Sequence, residues 1–460
     1  MPIFRINRLR WLMATLPTPP VGGDATLFVD TATGDDSVPY AENSASTPWQ
    51  TIGRAAWGSA NPDTPNAGQA AQAGDIVQVA AGIYWETGSA SRETPKFMPT
   101  LTPVNSGVAG SPIIFRGVGN VYLRMVYGIR GPMLGSSSNR NYIIWDNFQV
   151  DDYYGGSTSD TGPVAFSGCS YCQIINSNVQ GHPGTYYHGY DIFGGNYRGI
   201  SLEPDADHNI IRNNRIHGFA GGQNEAGIMA YDSNYNLIEN NDLYGNGQAI
   251  FIKGIHPDKT QVGNIIRLNL IHDNVGGVRI LGSVDARVYK NVVINNTGTG
   301  IHLGFSPAEG TRAYNNTLYG NATGIHAQGD ELLACLVRNN IVVDCGDQAI
   351  FDWQVNNPSL QDVAYDRNLY FGNTRHAFYE GGAGEITFAA WQATYGHDLN
   401  GLVADPLFVN AAAGDFRLQA GSPALTLGRD TFDLDGDSDT AETIPAGAYV
   451  TGDEIIGLLT

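Results

Sequence analysis

Asn-Ile-Ile-Arg-Asn-Asn-Arg-Ile-His at 209–217 returns as Asn-Leu-Ile-Glu-Asn-Asn-Asp-Leu-Tyr at 236–244 and as Asn-Ile-Ile-Arg-Leu-Asn-Leu-Ile-His at 264–272. Looser copies occupy 286–294, 311–319 and 335–343. With the second Asn of each copy as a marker, the series is Asn214, Asn241, Asn269, Asn291, Asn316 and Asn340, at intervals of 27, 28, 22, 25 and 24 residues. Weaker matches extend it to Asn147, Asn178 and Asn368. Self-similarity at such a period signals stacked repeats, none of which can bury a face alone.

Each repeat holds a β-branched alternating run ending at the Asn, a Gly-containing turn and a second run. The second runs are Gly-Ile-Met-Ala-Tyr at 227, Ala-Ile-Phe-Ile-Lys at 249, Gly-Val-Arg-Ile-Leu at 277, Gly-Ile-His-Leu at 300, Gly-Ile-His-Ala at 324 and Ala-Ile-Phe-Asp at 349. Short runs punctuated by Gly and Asn are strands. Stacked coils bring like positions about 4.8 Å apart. The marker amides then form a hydrogen-bonded ladder, satisfying backbone groups that a bend would leave buried and unpaired.

These repeats resemble the right-handed parallel β-helix of the pectate-lyase-like superfamily over about 140 to 400. Leu-Phe-Val-Asp-Thr-Ala-Thr-Gly-Asp-Asp at 27–36 with Thr-Pro-Trp-Gln-Thr-Ile-Gly-Arg-Ala-Ala at 47–56 is similar to the N-terminal end of such proteins. Ala-Asp-Pro-Leu-Phe-Val-Asn at 404–410 with Gly-Asp-Phe-Arg-Leu-Gln-Ala-Gly-Ser-Pro-Ala at 414–424 is similar to the C-terminal end. The resemblance implies an all-β solenoid with an N-terminal capping helix and an irregular C-terminal cap. It does not select a function, since the superfamily includes lyases, hydrolases, epimerases, tailspikes and adhesins.

The expected order is a leader at 1–23, an N-terminal cap and irregular coils at 24–140, the regular helix at 141–395 and a cap at 396–460. The cap holds a strand at Leu27–Asp30, a helix starting near Pro48 with Ile52, Ala55 and Ala56 inward, and a strand at Asp75–Ala80. A solenoid grows by adding coils, so 460 residues do not imply several domains. An apolar fraction of 42% is enough to fill a narrow core.

A net charge of −20 argues against nucleic acid or an anionic membrane as a general partner, though not against an acidic polysaccharide on a locally basic face. No stretch is long enough to span a membrane. Arg5, Arg8 and Arg10 precede Trp-Leu-Met-Ala-Thr-Leu, but the apolar run stops at Pro17 and no clean cleavage site follows. This basic leader is therefore expected to dock on an anchoring subunit or particle. Cys169, Cys172, Cys335 and Cys345 are expected as buried small residues or an incidental disulfide rather than a zinc site.

Aligning the second runs makes a surface legible. With Ile200, Ile228, Ile250, Val278, Ile301 and Ile325 inward, alternation turns Ser201, Met229, Phe251, Arg279, His302 and His326 outward. The next outward column is Glu203, Tyr231, Lys253 and Leu281. Lys253 and Arg279 are thereby expected one coil apart, with Tyr231 below Lys253. This suits β-elimination on a uronic-acid polymer, which needs a base and a cation to stabilise an enolate-like intermediate. Lys253 would be the base, Arg279 would hold the carboxylate, and Tyr231 or His302 would protonate the leaving oxygen.

In outline this is similar to the chondroitinase B and alginate lyase family, in which a strand Lys is followed one coil later by an Arg. In that family acidic calcium ligands closely precede the Lys. Here Asn246 and Gln248 occupy those positions, poorer ligands for which Glu225 and Asp232 would have to compensate.

Other expected contacts with sugar are Glu203, the loop aromatics Tyr186, Tyr187 and Tyr190, a stripe containing His217, Tyr244, His272 and Tyr319, and His326 of the Arg279 column. Arg212, Glu239 and Arg267 alternate in sign, as ladder pairs do. Asp433, Asp435, Asp437 and Asp439 resemble the start of a Ca²⁺ loop, without the acidic residue that would close an EF-hand. Two functions follow from the sequence. One is a spike or adhesin of a virion or phage-like particle, extracellular or on the particle surface, a homo-oligomer binding cell-surface polysaccharide. The other is a polysaccharide lyase. The lack of a clear secretion signal and the Asn/Gln substitutions tilt the reading toward the spike.

Overall fold

The computed structural model describes residues 23–86, 101–125, 134–137, 139–151, 162–181, 197–220, 225–254, 261–304, 308–328, 332–353, 363–379, 384–430 and 442–448. They form two compact units, one from Val21 to Lys253 and one from Gly254 to Thr460. No helix among the described residues is long and apolar enough to cross a membrane, which says nothing of a β-barrel.

In the first unit a coil consists of Leu237–Glu239, Asp242–Tyr244 and Gln248–Lys253, three short strands that join three different sheets. Each pairs in parallel with its counterpart one coil earlier, in the registers Ile210↔Leu237, Arg215↔Asp242 and Ile228↔Ile250. The second unit repeats the plan with Arg287–Tyr289, Val292–Ile294 and Thr299–Gly304. The chain is thus a right-handed parallel β-helix, the hand that a right-twisted strand imposes on parallel crossovers. Ile200, Ile228, Ile250, Val278, Ile301 and Ile325 all point into the core, at most 1% exposed. Small residues precede them because the next coil is so close. A Cβ at Gly277 would lie 2.1 Å from the Gly300 carbonyl oxygen.

Two adjacent positions, Asn-Asn in several coils, divide the work of turning the chain. The first member is in the left-handed region, at Asn147, Asn176, Asn213, Asn240, Asn315 and Asn339, where Asn is tolerated better than most residues. The second is the buried ladder amide. In the first unit Asn214 donates its backbone N–H and its Nδ2 to Oδ1 of Asn241, at 3.0 and 3.1 Å. In the second unit Asn269, Asn291, Asn316, Asn340 and Asn368 are linked in the same way, each donating to the next.

The markers Asn147 and Asn178 need correcting. Ser177 is the ladder residue of its coil, since its N–H donates to Asn214 Oδ1 (3.0 Å) and its hydroxyl accepts from Phe148 N–H (3.1 Å). Asn147 is the left-handed residue of its coil, and Asn178 is one residue past the ladder, in a strand opposite Arg215.

A second ladder lies five residues further on. Asn274 donates to Asn296, which donates to Asn321. Asn246 serves the same role in the first unit, accepting from Phe219 N–H at 3.1 Å and donating to the Ile216 carbonyl at 3.2 Å. Cys335 and Cys345, five positions before and after Asn340, are buried at corresponding corners, and all four cysteines are free thiols.

Helix α1, Ile52–Trp57, starts at Thr51, whose hydroxyl accepts from Arg54 N–H, and ends at Gly58 in the left-handed region. Ile52, Ala55 and Ala56 are buried as expected. A second helix, α2, spans Phe388–Tyr395 and stops at the left-handed Gly396. It packs Trp391 against Tyr365 and His397, with ring centroids at 5.0 and 4.6 Å. Beyond it the chain turns back along the side of the second unit. Asn315 donates to the Pro445 carbonyl, Asn339 to the Arg429 carbonyl, and Ala448 N–H to the Thr317 hydroxyl.

Candidate functional site

In the first unit the strands Arg198–Leu202, Ala226–Tyr231 and Gln248–Lys253 lie side by side. Tyr231 and Lys253 occupy paired positions, both half-buried. The Lys253 ammonium is 5.6 Å from the centroid of the Phe251 ring, so the side chain folds back over its own strand and screens the apolar column below. Ser201, Met229 and Phe251 do face away from the core but are at most 1% exposed, which corrects the expectation of an open column there.

Glu203 is also placed otherwise than expected. It is 2% exposed and its carboxylate accepts from the Arg198 guanidinium at 2.8 Å, so it is half of an internal ion pair rather than a sugar contact on an open face. Asn246, which stands where the lyase resemblance wants a metal ligand, has its oxygen and its amide engaged in the second ladder. Glu225 and Asp232 flank opposite ends of the strand Ala226–Tyr231. At about 3.3 Å per residue they are roughly 20 Å apart along it, too far to share an ion. Among the described residues no group of three or more His, Cys, Asp or Glu could hold a metal.

His217 and Tyr244 stack at 4.7 Å with planes 4° apart, but on a different sheet from Tyr231 and Lys253. In the second unit the corresponding stripe is roofed. His272 is 4% exposed and its Nδ1 sits 2.7 Å from Asp273. Tyr319 packs on Phe416 of the returning C-terminal segment at 5.3 Å, beside a cluster of Leu270, Val292, Ile294 and Ala448.

The second unit carries Arg279, His302 and His326 on successive coils. The two imidazoles stack at 4.2 Å, 8° from parallel, and Phe351 meets His326 edge-on. Burial, the neighbouring His326 and the Arg279 charge hold His302 well below the ordinary histidine range. Burial and Arg279 bring His326 down to about 4. At neutral pH both rings are therefore uncharged, so His302 is suited to accepting a proton or a hydrogen bond and poorly suited to the expected role of proton donor. Burial also lowers the pKa of Arg279, which stays a cation.

Tyr186, Tyr187 and Tyr190 lie outside the described residues, as do Asp433, Asp435, Asp437 and Asp439 and the leader up to residue 22. The sequence reading missed one arrangement, a column of Tyr142, Tyr171, His208 and Tyr235. Successive ring centroids are 4.8, 5.1 and 4.9 Å apart and no pair of planes is tilted by more than 11°. A signal was available, because the last three stand six residues before Ser177, Asn214 and Asn241.

Residues 189–299 match the family described as periplasmic copper-binding protein (NosD). No curated protein matches the chain in sequence. Among solved structures it is similar to a mutant tailspike protein of the E. coli bacteriophage HK620, with a TM-score of 0.51 and 10% identity over 68% of this chain and 57% of that one. It is also similar to a rhamnogalacturonan lyase, with a TM-score of 0.50 and 14% identity over 84% of this chain and 91% of that one. A mannuronan C-5 epimerase module from Azotobacter vinelandii aligns with a TM-score of 0.49 at 15% identity, over 72% of this chain and 91% of that one. At such identities the likeness is one of fold: the chain is a right-handed parallel β-helix.

Proposed function

We propose that the protein is a glycan-binding β-helix of the spike or adhesin type, acting outside the cell or on the surface of a phage-like particle. Polysaccharide would be held in the first unit at Tyr231 and Lys253; in the second unit, taken by itself, Arg279, His302 and His326 offer a cation and neutral imidazoles to a carboxylate-bearing sugar. The observation that carries the choice of binding over turnover is Asn246. Its side chain is committed to the backbone of the neighbouring coil, so the position from which a metal would assist β-elimination serves the fold instead. The structural likeness to a tailspike and to a rhamnogalacturonan lyase supports a polysaccharide partner without choosing between them.

The second reading is a polysaccharide lyase with Lys253 as base. The pairing of Tyr231 with Lys253 is what favours it, since it places a phenol beside an amine. The test measures binding and unsaturated-uronide absorbance on polygalacturonate, alginate and chondroitin sulfate. Retention without absorbance, weakened at least tenfold by Lys253→Ala, is the expected result. Absorbance that grows with time and vanishes in Lys253→Ala would replace the binding reading with the lyase.

A further inference from the structure

The stacked column Tyr142, Tyr171, His208 and Tyr235 sits on a turn of the first unit, and each member has a backbone in the left-handed region, with φ of 56, 60, 58 and 54°. Side chains with a Cβ are strained there, and tyrosine, unlike His208 or Asn, has none of the short-range hydrogen bonding that eases it. The same offset from the marker elsewhere in the chain is filled by Gly263, Asp285, Gly310 and Ala334, also left-handed. Four coils in succession therefore carry rings at a position that glycine, aspartate or alanine fills elsewhere. Ring stacking recovers part of that cost, yet Tyr171 and Tyr235 remain 45% and 51% exposed and His208 is exposed as well. Strain kept at an exposed position points to a surface with a use.

The geometry of the stack says which use. The rings lie against one another, so they present rims rather than faces: three phenol hydroxyls and an imidazole, each able to donate and accept, repeated at one coil spacing. Asp205, exposed, and Asp207, half-buried, stand beside the column on the His208 turn. Asp207 also accepts from Asn234 N–H and Nδ2, at 2.7 and 3.1 Å. An evenly spaced row of hydroxyl-type groups flanked by carboxylates complements a chain of neutral sugars, whose hydroxyls recur with each residue, and repels a polyanion.

We propose that this column is a second glycan-contacting ridge that takes a neutral polysaccharide lying along it. The ridge rests on the reading that the protein binds glycans, and it differs from the Tyr231 and Lys253 surface in the charge of the sugar it accepts. The experiment is affinity electrophoresis of the full chain through gels containing dextran, xylan, mannan, mixed-linkage β-glucan or polygalacturonate, with thermal midpoints measured in parallel. Asn tolerates the left-handed backbone, so Tyr171→Asn with Tyr235→Asn removes two rings without adding strain.

The expected result is retardation by at least one neutral gel that falls tenfold or more in the double variant, with an unchanged or raised midpoint. Lys253→Ala should leave that retardation intact and reduce only the polygalacturonate one. Equal retardation of the double variant and the parent in every neutral gel would overturn the ridge while leaving the Lys253 surface standing, as would retardation by polygalacturonate alone. A double variant that loses retardation together with its thermal midpoint would make the column a structural brace and overturn the ridge. Retardation by no glycan would overturn the ridge and the binding reading together, and a partner protein captured only by the parent would reassign the ridge to protein docking.

Discussion

Asp398 ends the asparagine ladder of the second unit. Its Oδ1 accepts from both the main-chain N–H and the Nδ2 of Asn368, at 3.1 and 2.9 Å. Its Oδ2 accepts from the Tyr370 hydroxyl at 2.7 Å and from the Trp391 indole at 3.3 Å. A carboxylate fits where an amide would not, because every neighbour is a donor. Burial still raises its pKa to about 6. Asp398→Asn turns an NH₂ toward the indole N–H, so we expect a loss of about 1–3 kcal/mol in urea denaturation at pH 7. An equal or higher stability would show that relief from burying the charge outweighs the lost acceptor.

Within the ladder, Asn316 accepts from Asn291 and donates to the Val288 carbonyl and to Asn340. Asn316→Ala leaves a buried N–H and a buried carbonyl unpaired, which should cost about 2–4 kcal/mol. Asn295→Ala, by contrast, should cost less than half as much, since its left-handed neighbourhood is on the rim. Similar losses at both positions would argue that the ladder is ornamental to stability.

Leu268, Lys290 and Arg367 occupy the left-handed position that Asn holds in other coils, with φ of 57, 53 and 58°. Leu268→Asn should raise stability by roughly 0.5–1.5 kcal/mol, the better part of the left-handed cost for a residue with no local hydrogen bond. Calorimetry of the single variant is sufficient, and a lowered midpoint would mean that the Leu268 side chain packs more than its half-exposure implies.

Acid should weaken the second unit. His326, His376 and His397 are each held at about 4 by burial, against 6.5 for the free side chain. An unfolded chain takes up those protons below 6.5 while the folded one refuses them until about 4. Their contribution is thus whole above 6.5 and is lost as the pH falls toward 4. Asp398 acts in the opposite sense over the same window, its raised pKa favouring the folded state below 3.8 and disfavouring it as the pH rises through 6. His302, held well below the ordinary histidine range, acts with the other three histidines, so with four groups against one the thermal midpoint should drop between pH 7 and pH 4.5. His376 lies among Tyr370, Phe388 and Trp391 with neither ring nitrogen hydrogen-bonded, so His376→Phe should flatten that slope. A slope identical to that of the parent would assign the acid response elsewhere.

Calcium is proposed for the run Asp433, Asp435, Asp437 and Asp439. Millimolar Ca²⁺ should raise the thermal midpoint relative to EGTA, and Asp435→Asn with Asp437→Asn should abolish the difference. A midpoint indifferent to Ca²⁺ in the parent would reduce the run to a solvated acidic turn.

The coil plan was legible because period and alternation are backbone geometry written directly into residue type. Ile200, Ile228, Ile250, Val278, Ile301 and Ile325 could be assigned inward from alternation alone, and Asn214 and Asn241 from their spacing. What lay on top of a coil was less accessible. Ser201, Met229 and Phe251 face away from the core yet are covered, and Tyr319 lies beneath Phe416, nearly a hundred residues later in the chain. Periodicity reports the direction of a side chain and is silent about what a distant segment lays over it. The slip at Asn147 and Asn178 has a related cause, since an Asn can serve either the bend or the ladder and only neighbours in space reveal which.

The returning segment has a consequence for how the protein can be cut. Leu270, Val292, Ile294, Ile341, Val343 and Leu369 project from the outer side of their sheet and are hidden by Phe416, Leu418, Ala424, Leu427, Ala446 and Ala448. A chain shortened to end before Pro406 would keep its coils but bare a greasy seam along their flank, and such a seam finds another molecule when it cannot find its own tail. Residues 416–430 and 442–448 thus act as a built-in sheath, and clumping of the shortened product, rather than unfolding, is how their loss should first be noticed.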